Sequence, residues 1–157
     1  MQLLPATESD RTYFARLFFL TDVYGDESRA VSDYHLRDIV GYVDDWNPTR
    51  DGGFVVYDEN RIPAGGIWFR YWEGPDALGW ANLGPDIPEL AIAVESRFAG
   101  KGISRLLLDA AVDLGRSQGA PALALSVAAD NPRARHVYEK FGFTDVADVD
   151  GAMRYNL

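Results

Sequence analysis

The spacing of apolar positions changes several times along the chain, and each change marks an element. Residues 2–6 read as a short first strand. Tyr13, Phe14, Leu17, Phe18 and Phe19 then recur at helical spacing, so a helix is predicted from near Arg11, capped by Ser9 or Asp10. Ser32 or Asp33 caps a second helix, with Leu36, Ile39, Val40 and Val43 on its apolar side, ended by Asn47-Pro48. Gly53 to Tyr57 and Ile62 to Trp72 are predicted strands around Asp58-Glu59-Asn60-Arg61, a hairpin turn by composition. Gly65-Gly66 inside the second strand predicts a bulge or a close backbone approach. Residues 73–88 form a long loop, with Gly74, Pro75, Gly79, Gly84, Pro85 and Pro88, and carry Trp80 and Asn82.

The second half is more regular. Leu90, Ile92 and Val94 alternate with Glu89, Ala91 and Ala93, the period of a strand. Gly100 and Gly102 break that period. From Ile103 the apolar residues fall at Leu106, Leu107, Ala110, Ala111 and Leu114, one face of a helix that ends near Gly119. Leu123, Leu125 and Val127 mark the next strand. A strand, a crossover helix and a strand imply a parallel pair. Asp130-Asn131-Pro132 opens a last helix, with Ala134, Val137, Tyr138 and Phe141 as its apolar side and Gly142 as its stop. Phe143 to Val149 and Ala152 to Leu157 are predicted final strands joined by Asp150-Gly151. The pattern predicts one α/β domain over residues 1–157, with no internal repeat, low-complexity tract or linker.

Composition narrows the function classes. With 47% apolar and 25% charged residues, the chain has the averages of a globular protein. It has no cysteine, which removes disulfides, thiolate metal sites and a cysteine nucleophile together. No run approaches the ~20 apolar residues of a membrane span. The N-terminus lacks the basic and apolar regions of a secretory signal, so a cytoplasmic setting is expected. The net charge of −9 is unevenly spread. Residues 1–95 hold 17 acids against 7 bases, whereas residues 96–140 hold 7 bases against 4 acids. Nucleic acid is not expected as a partner of so acidic a molecule. A small polyanion held on the basic segment, beside a cationic second substrate, suits the pattern.

Glu89 to Ala111 concentrates the chemistry. A glycine turn feeding a helix leaves backbone N–H groups unpaired at the positive end of the helix dipole, which suits a phosphate or pyrophosphate. Lys101 and Arg105 add positive side chains. Taken alone, the turn also reads as a plain tight turn, because it lacks the third glycine of a dinucleotide fingerprint. The run Asn131-Pro132-Arg133-Ala134-Arg135-His136-Val137-Tyr138-Glu139-Lys140-Phe141-Gly142-Phe143 adds to it.

Together, the glycine turn and this run closely resemble the GNAT family of acetyl-CoA-dependent N-acetyltransferases, over roughly residues 87–147. The family's Asn-x-x-Ala-x-x-x-Tyr-x-x-x-Gly-Phe helix is met by Asn131, Ala134, Tyr138, Gly142 and Phe143. Its Gln/Arg-x-x-Gly-x-Gly/Ala turn is met less fully. Arg97 fits by eye, but the distances from Val94 and to Leu106-Leu107 favour Ala99 at the first position, Gly102 at the middle glycine and Ser104 at the last. The resemblance implies a GNAT-type fold: a mixed central sheet of about six to seven strands flanked by about four helices.

The resemblance also implies roles. The backbone of Ile92, Ala93 and Val94 pairs with the pantetheine arm of acetyl-CoA, like an added strand. The N–H groups of Gly100, Lys101, Gly102, Ile103, Ser104 and Arg105 hold its pyrophosphate, and Asn131 contacts the cofactor near the arm. Tyr138 lies near the thioester sulfur and protonates the leaving thiolate, a role open to a phenol with pKa about 10. Tyr138 also reads as a core tyrosine on an apolar helix face. Glu89 is the candidate base that deprotonates the acceptor amine, directly or through water, against the alternative of an exposed strand-edge carboxylate. Asp86 and Asp130 are fallback bases, and His136 reads as a surface residue. No metal is implied.

The implied reaction is direct transfer to a primary amine in a ternary complex. The acceptor is expected to be a small molecule, with a protein N-terminus or lysine second. Tyr24, Trp80, Asp22, Asp26 and Glu27 are candidate walls of an anionic, aromatic-lined pocket for a cationic amine. The alternative is a CoA-binding sensor or accessory subunit with the same fold and no turnover. A homodimer is common among relatives.

Overall fold

The computed structural model describes residues 1–74, 77 and 79–157, so Pro75 of the long loop lies outside the described residues. In chain order the elements are β1 (Gln2–Pro5), α1 (Arg11–Asp22), α2 (His35–Ile39), β2 (Gly53–Tyr57), β3 (Pro63–Arg70), β4 (Glu89–Val94), α3 (Ile103–Ser117), β5 (Ala122–Ser126), α4 (Pro132–Phe141), β6 (Thr144–Asp145) and β7 (Ala152–Asn156). The strands form one seven-stranded sheet in the order β1-β2-β3-β4-β5-β7-β6. All neighbouring pairs are antiparallel except β4 and β5, which the βαβ pattern predicted to be parallel. Seven mixed strands and four helices match the implied fold. Among the described residues, no helix is long and apolar enough to cross a membrane.

Both faces of the sheet are covered, and β3 is buried along nearly its whole length while β4 is partly open beyond Leu90. Alternation along β3 sends Ile67 and Phe69 to one face and Trp68 to the other. On the first face, Leu107, Leu108 and Ala111 of α3 pack with Leu123, Leu125 and Met153. Cutting the fully buried Leu107 to alanine removes about 3 kcal/mol of stability. On the second face, Phe14 of α1 stacks on Trp68 at 4.5 Å and meets Trp46 edge-on at 4.8 Å. Gly65 and Gly66 serve close approach. A Cβ on Gly65 would lie 2.6 Å from the Ala93 carbonyl oxygen, and one on Gly66 would lie 2.8 Å from Leu17.

Several boundaries differ from the sequence reading. Asp10 is the N-cap residue of α1, as predicted, but its side chain turns back to accept from the Thr7 N–H at 2.7 Å, where Thr7 caps a 3₁₀ turn that leads into the helix. The second helix is short and passes into a π turn, Val40–Asp44, closed by the Asp45 N–H donating to the Val40 carbonyl at 2.8 Å. The face turned inward carries Asp38, Ile39, Tyr42 and Val43, so Leu36 and Val40 of the expected apolar side are exposed while the polar Asp38 and Tyr42 are buried. The second hairpin strand stops at Arg70 rather than Trp72. Of the strand expected from Phe143 to Val149, only Thr144–Asp145 pairs, because the chain turns away toward β7.

Candidate active site

β4 and β5 share one registered pair among the described residues, Glu89 opposite Ala124. Beyond it the two strands splay, and a wedge opens whose apex is Glu89. Ile92, Ala93 and Val94 of β4 line the resulting cleft, which holds about 1820 Å³ and also takes in Tyr138, Asn131 and the glycine turn. The β4 backbone, paired with β3 on its other edge, faces this gap without a strand partner, the setting in which an extended ligand adds as a strand.

The turn below the wedge is built for left-handed backbone. Gly100 and Gly102 have φ of +76° and +75°, and nothing lies within 4 Å of the space a Cβ would fill, so conformation rather than crowding selects glycine here. Gly102 is the N-cap of α3, and its carbonyl accepts from the Leu106 N–H at 3.1 Å, the first bond of the helix ladder. The N–H groups of Ile103, Ser104 and Arg105 therefore have no partner within the helix. Among the described residues, none from Gly100 to Gly102 donates to another backbone group. Gly100, Gly102, Ile103, Ser104 and Arg105 line the cleft. The Lys101 side chain does not, since its Nζ sits over Phe98 at 5.4 Å. Arg97 turns away to the Pro63 carbonyl at 3.3 Å, which agrees with Ala99 as the first position of the motif. Arg105 pairs with Asp109 and lies over the Phe141 ring at 4.9 Å, so α3 begins beside the C-terminal end of α4.

Asn131 caps α4, accepting from the Ala134 N–H at Oδ1 over 3.4 Å, and Pro132 fills the first helical position. The helix fixes Tyr138, whose half-buried ring meets Phe143 edge-on at 6.1 Å. Among the described residues its hydroxyl has no protein partner, and it opens on the cleft. Burial pushes the phenol up to about 12. At neutral pH it therefore carries its proton and has no protein acceptor to give it to.

Glu89 is not the exposed strand-edge carboxylate that was the alternative reading, being 2% exposed. Its Oε1 accepts from the indole N–H of Trp72 at 2.9 Å and from the Ala81 N–H at 3.0 Å, and its Oε2 accepts from the Tyr42 hydroxyl at 2.6 Å. Burial raises its pKa to about 7, against the lowering effect of the bonds from Tyr42, Ala81 and Trp72. A carboxyl balanced between its two forms near neutrality thus lines the same cleft as a protonated phenol.

The family model described as the acetyltransferase (GNAT) family matches residues 15–143. The chain belongs to the GNAT family of acetyltransferases. Its sequence is similar to mycothiol acetyltransferase of Beutenbergia cavernae, 32% identical over 108 residues that make up 60% of this chain and 36% of that protein. The chain spans about a third of the length of the curated relatives it matches. Its fold is similar to an acetyltransferase of the GNAT family from Staphylococcus aureus, with a TM-score of 0.69 at 12% identity over 99% of this chain and 98% of that one. It is similar also to yncA of Salmonella typhimurium, solved with its cofactor acetyl-CoA, with a TM-score of 0.68 at 18% identity over 100% of this chain and 94% of that one.

On this GNAT scaffold the other end of the cleft differs from the sequence reading. Tyr24, Asp22, Asp26 and Trp80 line it, but Glu27 does not, being paired with Arg16 at 2.5 Å. Asp26 is occupied by the N–H and hydroxyl of Ser28. Asp130, a fallback base, accepts from the Tyr24 hydroxyl at 2.7 Å. The acid that faces the aromatic wall is Asp38, buried and bonded to the Trp80 indole N–H at 2.7 Å. Sequence reasoning missed Asp38, Tyr42 and Trp72. Only the composition of the second helix and the aromatic richness of residues 68–80 hinted at them, and all three act through contacts across more than 15 residues that no local period encodes.

Proposed function

We propose that this protein transfers the acetyl group of acetyl-CoA to a primary amine by direct attack in a ternary complex. The observation that carries the reading is the convergence on one cleft of a protonated phenol, a buried carboxyl titrating near neutrality and an unpaired run of backbone N–H groups. Bound acetyl-CoA supplies the acetyl thioester. The N–H groups from Gly100 to Arg105 hold its pyrophosphate, with the Lys101 contribution coming from its backbone. The β4 edge at Ile92, Ala93 and Val94 aligns the pantetheine arm, and the free amide nitrogen of Asn131 is available beside it.

Glu89, ionised, takes the proton that the ammonium must lose before nitrogen can attack a carbonyl carbon. Tyr138 keeps a proton at Oη for the thiolate sulfur that leaves. With no cysteine in the chain, transfer through a cysteine thioester is excluded. The acceptor is a small-molecule amine. The relatives' naming for a small-molecule acetylation supports this, as do Asp22, Asp26 and Asp38 at the acceptor end, which favour a cationic partner. Turnover by Glu89→Gln tests the assignment: an intact rate across the pH range contradicts Glu89 as the base, whereas loss of rate with acetyl-CoA affinity retained supports it.

A further inference from the structure

The second helix turn is held with unusual completeness. The last carbonyls of a helix have no partner within it and usually turn to water. Here four consecutive ones are taken by long side chains from elsewhere in the fold. The Gly41 carbonyl accepts from Arg70 Nε at 2.6 Å and the Tyr42 carbonyl from the Trp68 indole at 2.8 Å. The Val43 and Asp44 carbonyls accept from Arg11 Nη1 at 2.5 and 3.0 Å. Arg70 is itself fixed by buried Asp51 at 2.7 Å. The segment is also a π turn, a form that costs hydrogen-bond quality and is enriched at functional sites.

All of this restraint fixes one side chain that reaches the cleft. The Tyr42 ring is stacked on Phe18 at 5.2 Å and wedged edge-on against Trp72 at 5.0 Å. Its hydroxyl accepts from the Trp80 N–H at 2.9 Å and donates to Glu89 Oε2 at 2.6 Å. With that N–H occupying one side of the oxygen, the hydroxyl proton has one direction left, toward the carboxylate.

We infer that Tyr42 is a positioning residue whose clamped hydroxyl aims the Glu89 carboxyl into the cleft and stabilises its ionised form. The inference rests on the reading of Glu89 as the base. The groups facing Glu89 leave this task to neutral donors. Asp38 on α2 opposes ionisation, and Arg70, its cross-strand neighbour on β3, has its guanidinium turned to Asp51. The segment after β3 contributes the Trp72 indole and the Ala81 N–H, and β5 pairs Ala124 opposite Glu89. Among the described residues Tyr42 is the one titratable donor on the carboxyl, and its own ionisation is pushed well above the usual range by burial and by Glu89.

The test is a direct titration of the Glu89 carboxyl by carbon-13 NMR, with Glu89→Gln used to assign the resonance. Tyr42→Phe keeps the ring and removes the donor, and the Glu89 midpoint is expected to rise by about one unit, the worth of a hydrogen bond to a charged group. A ring-fluorinated tyrosine at position 42, which keeps the shape and donates more strongly, is expected to move the midpoint down. This second variant carries the test if Tyr42→Phe fails to fold. Opposite shifts support the inference. A midpoint that does not move with the fluorinated ring, or moves upward, overturns it. With an accepted amine in hand, the acid limb of kcat/KM is expected to follow the same two shifts. If the NMR midpoints shift as expected and no amine is acetylated, the proposed function fails while the hold of Tyr42 on Glu89 stands.

Discussion

At the scale of single residues, the two ends of proton traffic have opposite pH behaviour. Glu89 works as a base only when ionised, so kcat/KM is expected to rise with pH through about 7, the value to which burial lifts it, and Glu89→Gln to remove that limb. Steady-state rates across the pH range check this. In the proposed reaction Tyr138 is the acid and stays protonated over the whole window, since burial pushes it up to about 12. Tyr138→Phe is expected to lower kcat by about 10²-fold with little change in the KM for acetyl-CoA. Both residues were legible in the sequence, Tyr138 through the spacing from Asn131 to Gly142-Phe143 and Glu89 through its place on the strand before the glycine turn. What surrounds them was not. The burial of Glu89 and its bonds to Tyr42, Trp72 and the Ala81 N–H depend on residues 8 to 47 positions away, which only the folded chain brings together.

At the scale of elements, the glycine turn and α4 carry separable contributions. Gly102→Ala places a Cβ in open space but at φ of +75°, so the cost is conformational, about 1 kcal/mol. A small fall in melting temperature with a larger rise in the KM for acetyl-CoA is the expected pair of measurements. Asn131→Ala removes the α4 cap, at a cost of about 1 kcal/mol, and loosens the helix that carries Tyr138. The strand–turn–helix–strand–helix run was readable because each element there has a clean period and a glycine or proline stop. The second helix was not. Its inward face holds the polar Asp38 and Tyr42 beside Ile39 and Val43, so a reading by hydropathy puts Leu36 and Val40 inside, although both are exposed. The carbonyls of its π turn are held by Arg11, Trp68 and Arg70, none of them in the segment itself.

At the scale of the whole molecule, the sheet is continuous except where β4 and β5 part, and that gap places the site. One end of the cleft draws on the basic stretch from Arg97 to Lys140, the other on the acidic first half, in a chain of net charge −9. In the proposed function, a polyanionic cofactor and a cationic acceptor are drawn to opposite ends. Raising ionic strength is expected to raise the KM for acetyl-CoA, because Arg105, Arg133 and Lys140 at that end are exposed and screened within about 8 Å at physiological salt. The central claim is turnover. Its most direct test is to incubate the protein with acetyl-CoA and a panel of small primary amines, following free CoA and acetylated product by mass detection, with Tyr138→Phe in parallel. Equal amounts of free CoA and one acetylated amine are expected, at a rate that falls about 10²-fold in the variant. Tight binding of acetyl-CoA with no product from any amine would contradict that claim and leave a CoA-binding sensor or accessory subunit in its place.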